Sequence, residues 1–142
     1  MTDIAATAEL STDDLVKGVI EWISIESPTS DADAVNRMVD RVTTEFESAG
    51  LETERTAGED GWGDIIRGRA PGSMRANEGI LVVSHTDTVH PIGTKETTNP
   101  IRIEGDKLYG PGTYDMKAGA YIAFYAYKRL IEEGGESKLP VT

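Results

Sequence analysis

With 142 residues and 38% apolar content, the chain is long enough for one domain with a core of its own, hiding about 70% of its unfolded surface. Its 14 Lys and Arg against 25 Asp and Glu give a formal charge of -11, which argues against nucleic acid and anionic membranes as partners. The absence of cysteine excludes disulfides and thiolate sites, so any metal must rest on His, Asp and Glu.

The first ten residues are small and polar, without periodicity, and the acidic Asp3, Glu9, Asp13 and Asp14 are unlike a secretion signal. No stretch is apolar enough to span a bilayer, and the expected location is the cytoplasm. Ser11 or Thr12 can cap a helix in which Leu15, Val16, Val19, Ile20 and Ile23 recur at helical spacing, ending near Ile25. Glu26-Ser27-Pro28-Thr29-Ser30 reads as a loop, because Pro28 cannot donate a hydrogen bond and turns Ser27 away from helical angles. Ser30 is the expected cap of a second helix whose apolar stripe is Val35, Met38, Val39, Val42 and Phe46, with Gly50 in a left-handed conformation at its end.

Residues 51–56 and 64–69 read as a hairpin of two strands, the second bounded by Gly61, Gly63 and a Pro71-Gly72 turn. The run Ile80-Leu81-Val82-Val83 is continuously apolar, as expected of a strand covered on both faces at the centre of a sheet. Residues 101–108 predict a small hairpin around Glu104-Gly105-Asp106, followed by a Gly110-Pro111-Gly112 turn. A long helix over residues 116–133, stopped by Gly134-Gly135, should be buried against the sheet, and Leu139-Pro140-Val141-Thr142 begins another strand. The aromatic residues Trp62, Tyr109, Tyr121, Phe124, Tyr125 and Tyr127 are expected to be core or half-buried. The order of elements gives an α/β fold, a mixed sheet with helices on both faces.

His85 and Asp87 follow directly on the apolar strand, and ligands of open α/β sheets collect beyond the carboxyl ends of strands. An imidazole nitrogen is a zinc ligand, and Asp87 can orient the ring; an isolated His-x-Asp is otherwise a strand-end histidine bonded to its neighbour. Asp115 follows the glycine-rich turn, where a carboxylate either stabilises the helix start or, with its two oxygens, bridges two cations.

The phrase Ser84-His85-Thr86-Asp87-Thr88-Val89, followed by Gly110-Pro111-Gly112-Thr113-Tyr114-Asp115-Met116-Lys117-Ala118-Gly119, resembles the zinc-dependent metallopeptidase family of acetylornithine deacetylase, succinyl-diaminopimelate desuccinylase, aminoacylase and glutamate carboxypeptidase. Ser84 and Ala118 stand where that family often has glycine. The resemblance implies that residues 1–142 are the N-terminal part of a dinuclear-zinc catalytic domain, incomplete and without its lid or dimerisation domain. It implies two zinc ions, with cobalt or manganese as substitutes, His85 binding the first, Asp115 bridging both, and Asp87 as the catalytic-site carboxylate. It implies hydrolysis of amide bonds in small peptides or N-acyl amino acids, and allows a homodimer of the full-length protein.

In the family a Glu-Glu pair after the next strand supplies the general base and a further ligand, beyond Thr142. Glu132-Glu133 lies about 25 Å along the helix from Asp115 at 1.5 Å per residue and reads as a solvated helix end. His90, Lys107 and Lys117 are expected in surface or loop-bracing positions. The alternatives to the enzyme reading are a truncated or degenerate non-enzymatic fragment, or half of a split enzyme completed by another chain.

Overall fold

The computed structural model describes residues 10–71, 79–135, 137 and 139–142. The expected polar start and Gly72 of the expected turn lie outside these residues. Helix α1, Thr12–Ile23, begins where Ser11 accepts a hydrogen bond from the Asp14 amide, and Asp13 and Asp14 favour the positive end of its dipole. Helix α2, Ala32–Ser48, is capped by Asp31, whose carboxylate accepts from the Ala34 amide. The expected cap, Ser30, sits one residue early: Asp31, with extended backbone angles, reaches the third amide beyond it, while Ser30 lies in the preceding turn. Gly50 ends this region at φ +79°, the left-handed conformation its position requires.

Strands β1, Glu52–Thr56, and β2, Ile65–Arg69, form the expected antiparallel hairpin, with Thr53 opposite Gly68. Arg55 ties it to α2, pairing with Asp64 at 2.6 Å and Asp40 at 2.5 Å. Strands β3, Arg102–Glu104, and β4, Lys107–Tyr109, form the second hairpin, turned at Gly105. Helix α3, Ala118–Glu132, starts two residues later than periodicity suggests, because Asp115 and Met116 have non-helical backbone angles within an irregular turn, Thr113–Lys117.

The core lies between the three helices. Val19, Trp22 and Ile23 of α1 meet Met38 and Val42 of α2 and Ala120, Tyr121, Phe124 and Tyr125 of α3. The Trp22 ring meets Tyr121 edge-on at 5.2 Å, and Phe124 stands 5.3 Å from Phe46, contacts worth about 0.5–1.5 kcal/mol each beyond the buried area. Gly18 permits the approach of α1 to α3: a methyl group there would come within 1.9 Å of the Tyr121 ring. The Trp22 indole also donates to Glu45 at 3.0 Å, so its polar edge is satisfied where it leaves the core. The long helix is thus buried mainly against helices, and its outward residues Ile122, Leu130 and Ile131 are exposed.

The apolar run 80–83 corrects the expectation of a strand covered on both faces. Its side chains are exposed, Leu81 by 71% and Val83 by 76%. Residues 80–82 pair in parallel with residues 140–142, through bonds from Ile80 N–H to Pro140, Thr142 N–H to Ile80 and Val82 N–H to Thr142. Val141 in turn accepts from the Ala70 amide, at the end of β2. A single bond from Ala70 thus joins the β1–β2 hairpin to the parallel bridge between residues 80–82 and 140–142, while each hairpin forms a sheet of two strands. Trp62, expected in or near the core, is likewise exposed on this side.

Candidate metal centre

Three chain segments converge at the carboxyl end of the run 80–83. The Ser27-Pro28-Thr29 loop pairs with residues 86–88: the Ser27 hydroxyl donates to the Thr86 carbonyl at 2.7 Å, the Thr88 amide to Ser27 at 2.8 Å, and the Thr29 amide to Thr88 at 3.0 Å. Pro28, which lacks a donor, fits between these bonds. The glycine turn then lies against the same strand end. Gly112 has φ +73°, and a methyl group on it would stand 2.7 Å from the Thr88 methyl, so only glycine allows this approach. The irregular turn Thr113–Lys117 that follows carries Asp115 to His85.

His85 Nε2 lies 3.0 Å from Asp115 Oδ1, and His85 Nδ1 lies 3.1 Å from the Asp87 carbonyl and 3.3 Å from Asp87 Oδ1. Asp87 is itself held from the other side, where the Thr29 hydroxyl donates to Oδ2 at 2.5 Å. The expected site residues His85, Asp87 and Asp115 are therefore brought together. Burial pulls the His85 pKa down, but the bonds to Asp115 and the Asp87 carbonyl and the charges of both carboxylates outweigh it, leaving the pKa above the ordinary value. Both ring nitrogens face oxygen acceptors, an environment suited to a cation at Nε2, be it a proton or a metal.

The donor set fits a metal in part. Two ligands about 2.0–2.1 Å from a tetrahedral zinc stand roughly 3.3 Å apart, close to the spacing of Nε2 and Oδ1. A carboxylate and a carbonyl at the opposite ring nitrogen fix the tautomer and ring plane as they do for metal-bound histidines. Asp115 is 74% exposed in its side chain, so its second oxygen is open to another cation. No group of three metal-type side chains occurs among the described residues, so His85 and Asp115 are an incomplete cradle.

His90 is half-buried in the loop after the site and joins no such group, while Lys107 is exposed, as expected. Glu132 and Glu133 pair with Arg129 at 3.0 and 2.7 Å at the far end of α3. Of the two expected placements, surface or loop-bracing, Lys117 takes the second. It is fully buried, and its ammonium donates to the Ile25 carbonyl at 2.5 Å and to Trp22 at 3.4 Å, bracing the end of α1. Burial lowers its pKa to about 8, opposed by the charges of Asp87 and Glu26. The sequence signal is indirect: α1 has no basic residue in its last turn, so its terminal carbonyls need a cation from elsewhere. Thr29, which orients Asp87, was equally hidden, because its partner lies 58 positions away.

Residues 81–142 match peptidase family M20/M25/M40. The chain is 32% identical over 121 residues to carboxypeptidase G2 of Pseudomonas sp. (strain RS-16), covering 84% of this chain and 28% of that protein. It is 27% identical over 131 residues to acetylornithine deacetylase of Vibrio vulnificus (strain CMCP6), covering 90% and 34%. The fold superposes on the crystal structure of human carnosine dipeptidase 1 with a TM-score of 0.78 at 17% identity, over 91% of this chain and 30% of the other. The matched segment is the one that carries His85, Asp87 and Asp115, and the chain spans 28% to 34% of the length of these two relatives.

Proposed function

We propose that the chain forms one part of a metal-dependent hydrolase that cleaves amide bonds in small peptides or N-acyl amino acids, with His85 and Asp115 as ligands in a two-zinc site. The observation that carries this reading is the 3.0 Å approach of His85 Nε2 to Asp115 Oδ1, with Asp87 at the opposite ring nitrogen. Bound zinc would supply Lewis acidity and an activated water for attack on an amide carbonyl. Asp87 holds the His85 ring through Nδ1, and Thr29 holds Asp87, so the imidazole presents Nε2 outward in one orientation. Asp115 offers one oxygen on the His85 side and keeps the other open, the arrangement a bridging carboxylate needs.

Ligand number sets what residues 1–142 do alone. One metal finds two side chains here and a second finds Asp115 only, against the three or four that zinc sites use. Binding should be weak, and turnover of an N-acyl amino acid by the isolated chain negligible. Nitrogen NMR of His85 during titration with zinc alone tests the site. The expected result is a shift at Nε2 while Nδ1 keeps its proton toward Asp87; coordination through Nδ1, or no change at millimolar zinc, contradicts the reading. Zinc-dependent hydrolysis by the isolated chain, lost in His85→Ala, would contradict the ligand count.

A further inference from the structure

Amide, stem and ammonium of Lys117 each hold the turn that carries Asp115. The amide donates to the Gly112 carbonyl at 2.9 Å and closes the turn. The stem runs beside Gly112, where a methyl group would stand 3.4 Å from Lys117 Cδ and 2.7 Å from the Thr88 methyl. The ammonium donates to the Ile25 carbonyl at 2.5 Å. Within the turn Thr113–Lys117, Lys117 is the buried residue, while Tyr114 is 99% exposed. The Asp115 carboxylate has His85 as its one partner among the described residues, so the backbone of the turn decides where it stands. Capping α1 does not by itself account for this ammonium. Lys95 already donates to the Ser24 carbonyl at 2.7 Å from a partly exposed position, where a charge costs far less than in the interior.

We propose that Lys117 is a positioning residue, the buried anchor that sets Asp115 against His85 Nε2. From its own backbone the chain runs back two residues to Asp115, at Nε2. From its ammonium, the Ile25 carbonyl leads two residues on to Ser27, whose hydroxyl holds the Thr86 carbonyl, and then to Thr29, which holds Asp87 at Nδ1. The groups at both ring nitrogens of His85 thus hang from one enclosed ion. A lysine suits the place because its thin, flexible stem passes beside Gly112 and ends in a compact charge. The planar guanidinium of arginine is wider, and an apolar side chain leaves the Ile25 carbonyl without this donor in the interior. Ligands of a metal must be held within about 0.5 Å of their working geometry, so a turn released at Lys117 weakens the site without removing any ligand. The consequence for metal binding rests on the reading of His85 and Asp115 as ligands; the placement of Asp115 does not.

The test compares the full chain with Lys117→Met, which keeps the stem and drops the ammonium, with Lys117→Arg, and with Val42→Ala, a change in the core of α2. Denaturant unfolding ranks their stabilities. NMR without metal reads the cross-relaxation between the His85 ring protons and the Asp115 β protons, and a titration with zinc alone reads affinity. Wild type and Val42→Ala should show the same cross-peak and bind zinc within about threefold of each other. Both Lys117 variants should lose most of the cross-peak and bind zinc about tenfold or more weakly, even where they are no less stable than Val42→Ala. Should Lys117→Met not fold, Lys117→Arg carries the comparison alone. Failure of both to fold would make Lys117 a residue of the core rather than of the site, and would overturn the proposal. An unchanged cross-peak in a folded Lys117 variant overturns it, as does a loss of zinc affinity no greater than that of Val42→Ala. A wild-type chain that shows the cross-peak and takes up no zinc contradicts the metal reading alone, and the cross-peaks of the variants still decide the role of Lys117.

Discussion

The three-helix side and the open-sheet side of the molecule use similar residues to opposite ends. Trp22, Ile23, Met38 and Phe124 bury almost all their surface among the helices, whereas Leu81, Val82 and Val83, no less apolar, stand 48% to 76% exposed. Composition therefore does not decide burial; the supply of neighbours does. Helices carry their backbone hydrogen bonds within themselves and need only a face to pack, but a central strand needs a partner on each edge and a layer on each face. The proposed metal cradle sits where the two sides meet, its loops anchored on the closed side and its strand belonging to the open one.

That contrast predicts where substitutions register. Phe124→Ala empties the centre of the aromatic cluster and should cost about 3–5 kcal/mol in denaturant unfolding. Gly18→Ala forces a methyl group into the Tyr121 ring, and the two helices must part; a loss of roughly 1–3 kcal/mol is expected. A cost below about 0.5 kcal/mol at Gly18 would mean that α1 and α3 are less closely joined than the structure shows.

A smaller effect tests the loop behind the site. Glu26 accepts from the Gly93 and Lys95 amides at 2.9 and 3.0 Å. Burial raises its pKa, but these bonds and the Lys95 charge outweigh it, so the folded value lies below the ordinary 4.5. A carboxyl depressed in the folded state contributes stability that is fully present above its unfolded pKa and is lost as pH falls through the folded value. Glu26→Gln should therefore lower stability at pH 7 and flatten the acid limb below about pH 4.5 in denaturant titrations. An unchanged acid limb would show that Glu26 does not brace the loop. Smallest of all, Val83→Thr on the open side should move stability by less than about 0.5 kcal/mol, since little is buried there to lose. A larger cost would mean that the open side is covered in solution.

The same contrast explains what was legible in the sequence. Helix positions and both hairpins are readable because spacing, caps and glycine turns are local signals, whereas the grouping of His85 and Asp87 with Asp115, 30 positions from His85, rests on the family resemblance of the two motifs that carry them. The exposure of residues 80–83 was not, because a continuously apolar run says that a strand wants two covered faces and cannot say whether the chain supplies them. Lys117 and Thr29 escaped for a related reason. Each acts through a partner at least 58 positions away, so nothing near it in sequence marks its role. The start of α3 is not legible in the sequence, because Met116 and Lys117 are as helix-compatible as the residues that follow, while in the structure Asp115 and Met116 have non-helical angles.

The central claim, that His85 and Asp115 form one cradle rather than two separate surface groups, is tested most directly by a double-mutant cycle on zinc affinity. Calorimetry on the wild-type chain, His85→Ala, Asp115→Asn and the double variant should show each single change removing nearly all specific binding, with little further loss in the double. Additive losses, or specific zinc binding that survives in the double variant, would contradict it.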